Sequence, residues 1–327
     1  MRIAINGFGR IGRTVLRQVL SLRDASDIEV AFVNDIAPLD TCAYLFRYDS
    51  VFGPYPGEVT ASDDALEIDG QRVTVLSERD LGRLPLEGVD VVMDCTGTIH
   101  TRAQAQRGLD AGAANVLISG PCDDAEETLV LGANEERLGQ ARIVSNASCT
   151  TNALAPLLKA LDRANPIAHG HMTTIHCYTG SQPTVDAPRG DPARSRAAAV
   201  SMVPTTSSAT RLVGTILPEL AGRISGAAVR VPVISVSAID AVLTFERDLP
   251  DDPRAWLAGL AEASPVLGVT RDPTVSTDQR ARPESLVIAL PETLRTGDRQ
   301  LRVFGWYDNE WGFSARMIDM ARRMAAR

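Results

Sequence analysis

Lysine is almost missing from this chain: Lys159 is the only one, although lysine and arginine together number 33. Schiff-base chemistry needs a lysine amine and so has almost nothing to work with. The arginine excess reads as genome composition, with no function attached. No C-x-x-C pair occurs among the five cysteines, Cys42, Cys95, Cys122, Cys149 and Cys177, so neither a zinc site nor a disulfide framework is suggested, and no metal is expected. Basic charge is not in surplus. The 41 acidic residues give a formal net charge of −8, which leaves room for a local basic pocket but not for broad attraction to nucleic acid or membrane surfaces. No uninterrupted apolar stretch is long enough to span a bilayer, and no charged, apolar leader precedes the first predicted strand. A soluble protein in a reducing cytoplasm is the expectation.

What is present begins with an octapeptide, Ser145-Asn146-Ala147-Ser148-Cys149-Thr150-Thr151-Asn152, that opens an apolar helical run over 153–161. A cysteine so placed sits at a helix N-terminus, where backbone N–H groups and the positive end of the helix dipole stabilise a thiolate. Cys149 is therefore the leading nucleophile; the alternative is a buried, inert thiol. Among the four histidines, His100, His169, His171 and His176, His176 closes a predicted strand over 170–176, just before the loop residues 178–181. An imidazole delivered there can pair with a thiol and then take a proton from substrate. His169 and His171 read as structural, and His100 as a solvated loop residue.

Residues 1–6 read as a short apolar strand, followed at once by Gly7-Phe8-Gly9-Arg10-Ile11-Gly12 and then by helical spacing over 13–22. This is G-x-G-x-x-G in the strand-turn-helix context that dinucleotide binding requires. The first glycine permits the tight turn, the second lets backbone approach a pyrophosphate, and the third lets helix pack on strand. A second strand over 27–34 ends at Asp35, a carboxylate placed to accept hydrogen bonds from an adenosine ribose and to repel a ribose 2′-phosphate. NAD is favoured over NADP.

At 327 residues with 44% apolar content, about two domains are expected. Strands over 27–34, 89–94, 115–119 and 142–145 alternate with helices over 11–22, 39–47 and 101–111, an α/β pattern of parallel strands covered on both faces. Asp35, Thr96, Gly97, Ser119 and Cys149 all follow predicted strands, where ligands of such sheets collect. Residues 55–75 read as a short strand insertion. Long apolar strands over 224–231, 234–245 and 301–307, with a covering helix over 255–263, indicate a second, α+β domain with a mostly antiparallel sheet. The segment 181–202 is too long for a simple connection, and 312–327 reads as a closing helix with Met317, Ile318, Met320 and Met324 on one face.

Taken in order, Asn6-Gly7-Phe8-Gly9-Arg10-Ile11-Gly12-Arg13, Asn34-Asp35, Tyr48-Asp49-Ser50, Cys95-Thr96-Gly97, the octapeptide, Arg230-Val231-Pro232 and Trp306-Tyr307-Asp308-Asn309-Glu310-Trp311-Gly312 span nearly the whole chain. This pattern resembles the phosphorylating glyceraldehyde-3-phosphate dehydrogenase family, with erythrose-4-phosphate dehydrogenase as a close relative. The resemblance implies a Rossmann NAD-binding domain of residues 1–148 completed by the C-terminal helix of about 312–327, and a catalytic domain of 149–311. It implies that Cys149 attacks an aldehyde to give a hemithioacetal and that His176 removes the hydroxyl proton as hydride passes to NAD. Inorganic phosphate then releases an acyl phosphate from the thioester. Thr179 and Arg230 resemble ligands of the substrate's own phosphate, a task that suits the planar fork of arginine. Ser148, Thr150 and Ser207, with Ser208 beside it, resemble ligands of the attacking phosphate.

For the cofactor, Asn6, Gly7, Gly9, Gly12, Arg79 and Gly97 fall at cofactor-binding positions of the family. Arg10 and Ile11 resemble pyrophosphate contacts, Asp35 the ribose contact, Thr96 and Ser119 contacts near the nicotinamide ribose, and Asn309 the nicotinamide amide anchor. Pro188 again resembles NAD-specific members. The loop 181–202 resembles the segment that members extend toward a neighbouring subunit's cofactor, so a homotetramer is implied.

The chain departs from the family at Ser207-Ser208, where Thr-Gly is usual, at Gln279, Arg282 and Glu284, where Phe, Asp and His are usual, and at Phe52-Gly53-Pro54, which lacks a histidine and a basic residue. None of these removes Cys149, His176 or Arg230. Three functions then stand side by side. The first is oxidation of D-glyceraldehyde 3-phosphate to 1,3-bisphosphoglycerate. The second is oxidation of another phosphorylated aldehyde, such as erythrose 4-phosphate, with hydrolysis replacing phosphorolysis. The third is a non-catalytic cofactor-binding scaffold, against which the intact Cys149–His176 pair argues.

Overall fold

In the computed structural model, which describes residues 1–21, 26–207 and 209–327, the chain forms two units. The first comprises Met1–Leu129, Glu136–Ala147 and Ser314–Arg327. Its central strands are parallel and stand in the order Glu29–Asn34, Arg2–Asn6, Val91–Asp94, Asn115–Ile118, Ile143–Ser145. Ile3, Ile5, Val91, Val116 and Leu117 are fully buried, because strands covered on both faces have no solvent side toward which to alternate. Arg2–Asn6 has Glu29–Asn34 on one side and Val91–Asp94 on the other. The strand order therefore reverses there, and the carboxyl end of Arg2–Asn6 opens onto the glycine turn.

The helix Arg10–Ser21 follows that turn; Leu22, its expected end, lies outside the described residues. Leu39–Arg47 forms the next helix. Arg102–Asp110 is held at its start by a reciprocal cap, the Thr101 hydroxyl accepting from the Gln104 N–H while the Gln104 side chain accepts from the Thr101 N–H. The insertion expected over 55–75 is an antiparallel run, Val59–Ser62, Ala65–Ile68 and Gln71–Leu76, that joins the sheet beside Glu29–Asn34. Its second turn has both Asp69 and Gly70 at positive φ, 51° and 79°, as a tight Asp-Gly hairpin turn requires.

The second unit, Val130–Glu135 and Ser148–Phe313, is built on a sheet in the order Val203–Thr205, Ile224–Val231, Ile167–Cys177, Ser237–Phe245, Gln300–Tyr307, Leu286–Ala289, Leu267–Thr270. Most of its pairings are antiparallel. The long strands on either side of Pro232 do not pair with each other; both lie against Ile167–Cys177, one parallel and one antiparallel. The helix Cys149–Ala164 buries Leu154, Leu157, Leu158 and Leu161, and Lys159 donates to the Ala133 carbonyl.

Leu267–Thr270, Leu286–Ala289 and the helix Ala209–Ile216 were not expected from sequence, since short apolar runs between breakers such as Pro283 and Pro291 have no readable period. The loop 181–202 contains one short 3-10 turn, Ala193–Ser195, and leaves Val185, Val200 and Met202 well exposed. The closing helix is Trp311–Ala325, with Met317, Ile318, Met320 and Met324 buried.

Candidate active site

Cys149 opens its helix behind a cap. Ser148 is extended, its Oγ accepts the N–H of Thr151 at 3.1 Å, and it lies 2.7 Å from the Thr151 hydroxyl. Cys149 Sγ is 3.5 Å from Nε2 of His176, which is 4% exposed and is delivered from the end of Ile167–Cys177. His176 Nδ1 lies 2.7 Å from the carbonyl oxygen of Cys177. A carbonyl only accepts, so Nδ1 carries the proton and Nε2 turns its lone pair to the sulfur. Arg230 stands opposite His176 in the parallel register, with Nη1 3.0 Å from the Cys177 carbonyl and 3.0 Å from His176 Nδ1. Because Nδ1 already bears a proton, Arg230 donates to the carbonyl, and its charge acts on the ring.

Burial, and then the Arg230 charge, hold His176 down at about 4, while its bond to the Cys177 carbonyl acts upward. Burial pushes the Cys149 thiol up; the Arg230 charge, Thr150 and the N–H groups at the helix start pull the other way without outweighing it. Burial therefore opposes the thiolate that the helix N-terminus favours, and His176 Nε2 is placed to take the thiol proton.

Beneath the pair lies a hydroxyl relay that the sequence did not announce. Buried Tyr307 places its OH 2.9 Å from Thr150 Oγ1 and 2.8 Å from Thr174 Oγ1, with its ring edge-on to His176. The available signal was alternation, since Thr174 lies two residues before His176 and therefore on the same face of its strand. Of the implied phosphate ligands, Arg230 touches His176. The Thr150 hydroxyl turns inward to Tyr307, and Thr179 pairs with the Ser181 hydroxyl at 2.9 Å. Ser207 accepts the Ala209 N–H at 3.2 Å, and Ser208 lies outside the described residues. Among the departures, Arg282 and Glu284 hold each other through two hydrogen bonds of 2.5 and 3.0 Å. Gln279 is buried and donates to Thr274 Oγ1 at 3.0 Å.

In the first unit a cleft of about 350 Å³ at the end of Arg2–Asn6 is lined by Asn6, Gly7, Gly9, Asp35, Arg79 and Thr96, among others. Arg10, Ile11, Gly12, Gly97 and Ser119 are not in that lining. The Arg10 guanidinium instead pairs with Asp49 at 2.5 Å, and Asn309 belongs to the second unit. A Cβ on Gly7 would meet the Thr96 nitrogen at 2.6 Å, and one on Gly12 the Gly7 carbonyl oxygen at 2.0 Å, whereas one on Gly9 would meet nothing within 4 Å. Gly7 and Gly12 therefore serve the turn and the packing, and Gly9 fronts an open cradle. Asn34 donates to Asn6, Asn6 to Asp94, and Thr96 to Asp94, at 2.7, 2.7 and 2.8 Å, a network that builds the floor. Asp35 accepts from the N–H groups of Phe8 and Ala37 at 2.6 and 2.9 Å, which leaves roughly two of its four lone-pair positions open. A helix start, an open cradle and this carboxylate suit a pyrophosphate and a ribose.

Residues 1–102 match the family model described as the NAD binding domain of glyceraldehyde 3-phosphate dehydrogenase, and 148–309 match the C-terminal domain of the same enzyme. The chain is 45% identical to a glyceraldehyde-3-phosphate dehydrogenase of Cereibacter sphaeroides, over 99% of this chain and 98% of that one. It is 46% identical to one of Pseudomonas aeruginosa, over 100% and 98%. It is 40% identical to glyceraldehyde-3-phosphate dehydrogenase 2 of Bacillus subtilis, over 100% and 97%.

Proposed function

The chain belongs to the glyceraldehyde-3-phosphate dehydrogenase family, and from that premise we propose that it oxidises D-glyceraldehyde 3-phosphate with NAD and inorganic phosphate to 1,3-bisphosphoglycerate, through a thioester on Cys149. The observation that carries this reading is the Cys149 Sγ to His176 Nε2 approach of 3.5 Å. His176 Nε2 takes the thiol proton as sulfur bonds to the aldehyde carbon, then returns it to the carbonyl oxygen, giving a hemithioacetal. Gly9, the start of helix Arg10–Ser21 and Asp35 would hold NAD, which when bound would supply the two-electron acceptor for the hydride. His176 next accepts the hydroxyl proton while the C–H hydride departs, leaving the thioester. Phosphate oxygen then bonds to the acyl carbon, the C–S bond breaks, and protonated His176 returns its proton to the sulfur. The Cys149 N–H and His176 stabilise the oxyanion at each tetrahedral stage. Arg230 and Thr179 are assigned to the substrate phosphate, and Ser148, Thr150, Ser207 and Ser208 to the attacking one.

No helix among the described residues is long and apolar enough to cross a membrane, and the five cysteines are free thiols, which supports a reducing cytoplasm as the working place. Exposed Val185, Val200 and Met202 on the loop 181–202 support assembly as a homotetramer, to be read by sedimentation. The deciding experiment follows NADH formation with each component omitted in turn. Glyceraldehyde 3-phosphate, NAD and phosphate or arsenate should all be required. Faster turnover of erythrose 4-phosphate without phosphate would overturn the assignment.

A further inference from the structure

The amide of Asn309 is not free to turn. Its Oδ1 receives two convergent donors, the thiol of Cys177 at 3.2 Å and the hydroxyl of Ser237 at 3.3 Å. Ser237 Oγ itself accepts the backbone N–H of Cys177 at 3.2 Å, so its own proton is available for Asn309. The Cys177 thiol keeps its proton, since burial pushes its pKa up to about 12. Cys177 and Ser237 are each 1% exposed, and water does not compete for these bonds. Turned the other way, the amide would offer its hydrogens to a hydroxyl that already accepts the Cys177 N–H and to a thiol, which is a weak acceptor, so it would exchange two good donor contacts for poorer ones. Oδ1 therefore stays inward, and Nδ2, which bonds to no described residue, is the group presented.

We propose that Cys177 and Ser237 are positioning residues that hold Asn309 with its Nδ2 donor presented, so that the chain recognises the carbonyl oxygen, and not the amino group, of the cofactor's carboxamide. This rests on the reading of Asn309 as the carboxamide anchor. The family resemblance marks Asn309 alone; the lock comes from a cysteine that follows the catalytic base and a serine that opens the neighbouring strand Ser237–Phe245. Neither residue touches the reacting atoms, and both act through Asn309.

Equilibrium binding of NADH, read by its fluorescence, tests the lock in four proteins: wild type, Cys177→Ala with Ser237→Ala, Asn309→Ala, and the triple variant. The paired variant should bind about three- to tenfold more weakly, the range of one hydrogen bond, and Asn309→Ala at least as weakly. The triple variant should bind no worse than Asn309→Ala, because residues that act through one group stop mattering once it is gone. Equal weakening by the pair in both backgrounds, or none in the first, overturns the positioning role. Normal binding by Asn309→Ala overturns the anchor itself, so the two failures are told apart. Cys177→Ser keeps a donor and should bind like wild type; a loss equal to that of Cys177→Ala sinks the donor argument. Carbonyl recognition is read with the 3-acetylpyridine analogue of NAD, which keeps the carbonyl and lacks the amino group. Wild type should bind it within about threefold of NAD, and a preference for NAD beyond about tenfold refutes the selection.

Discussion

At the scale of single residues, the chemistry depends on which atom of each group faces which. Cys149→Ser should abolish oxidation while NAD affinity, measured by calorimetry, stays within about twofold, since a serine hydroxyl is a far weaker nucleophile in the same place. His176→Asn should slow turnover by about 10²- to 10⁴-fold, the usual worth of a positioned base; stopped-flow measurement of the first turnover separates this from product release. Arg230→Gln removes a cation 3.0 Å from His176 Nδ1, so the His176 pKa should climb from about 4 toward the ordinary 6.5. A histidine NMR titration that did not move would leave burial as the sole cause.

At the scale of elements, the glycine turn separates two kinds of damage. Gly12→Ala drives a Cβ to 2.0 Å from a backbone oxygen, so both thermal stability and NAD affinity should fall. Gly9→Ala meets nothing within 4 Å and should leave stability alone while weakening NAD binding, because its methyl enters the cradle. Matched losses in both variants would contradict that division. The same turn was fully legible in the sequence, as were the parallel strands around it, because glycine spacing and unbroken apolar runs are local signals. The helix behind Cys149 was legible for the same reason. The hydroxyl relay through Tyr307, Thr150 and Thr174 was not, since it joins residues from three elements far apart in the chain, and no local pattern marks such a meeting. The burial that opposes a thiolate at Cys149 was not legible either, for a related cause: the dipole at a helix start is local, while burial comes from the tertiary surroundings.

At the scale of the whole molecule, acid should be felt through His176. Its folded value near 4 lies below the unfolded 6.5, so between those values the unfolded chain binds a proton that the folded one refuses. Stability contributed at neutral pH is therefore lost as pH falls from about 6.5 to about 4, on the order of 3 kcal/mol for this group alone. Denaturant midpoints at pH 7 and pH 5 should show a shallower acid-side decline for His176→Asn than for wild type, and parallel slopes would refute the assignment. The imidazole is steered by a peptide carbonyl, that of Cys177, where many hydrolases use an aspartate for the same task. A carboxylate can be erased by one codon change, but a main-chain oxygen survives every missense substitution at its own position. Heredity can thus vary the side chain that follows the base while the instruction that aims the base is passed on intact.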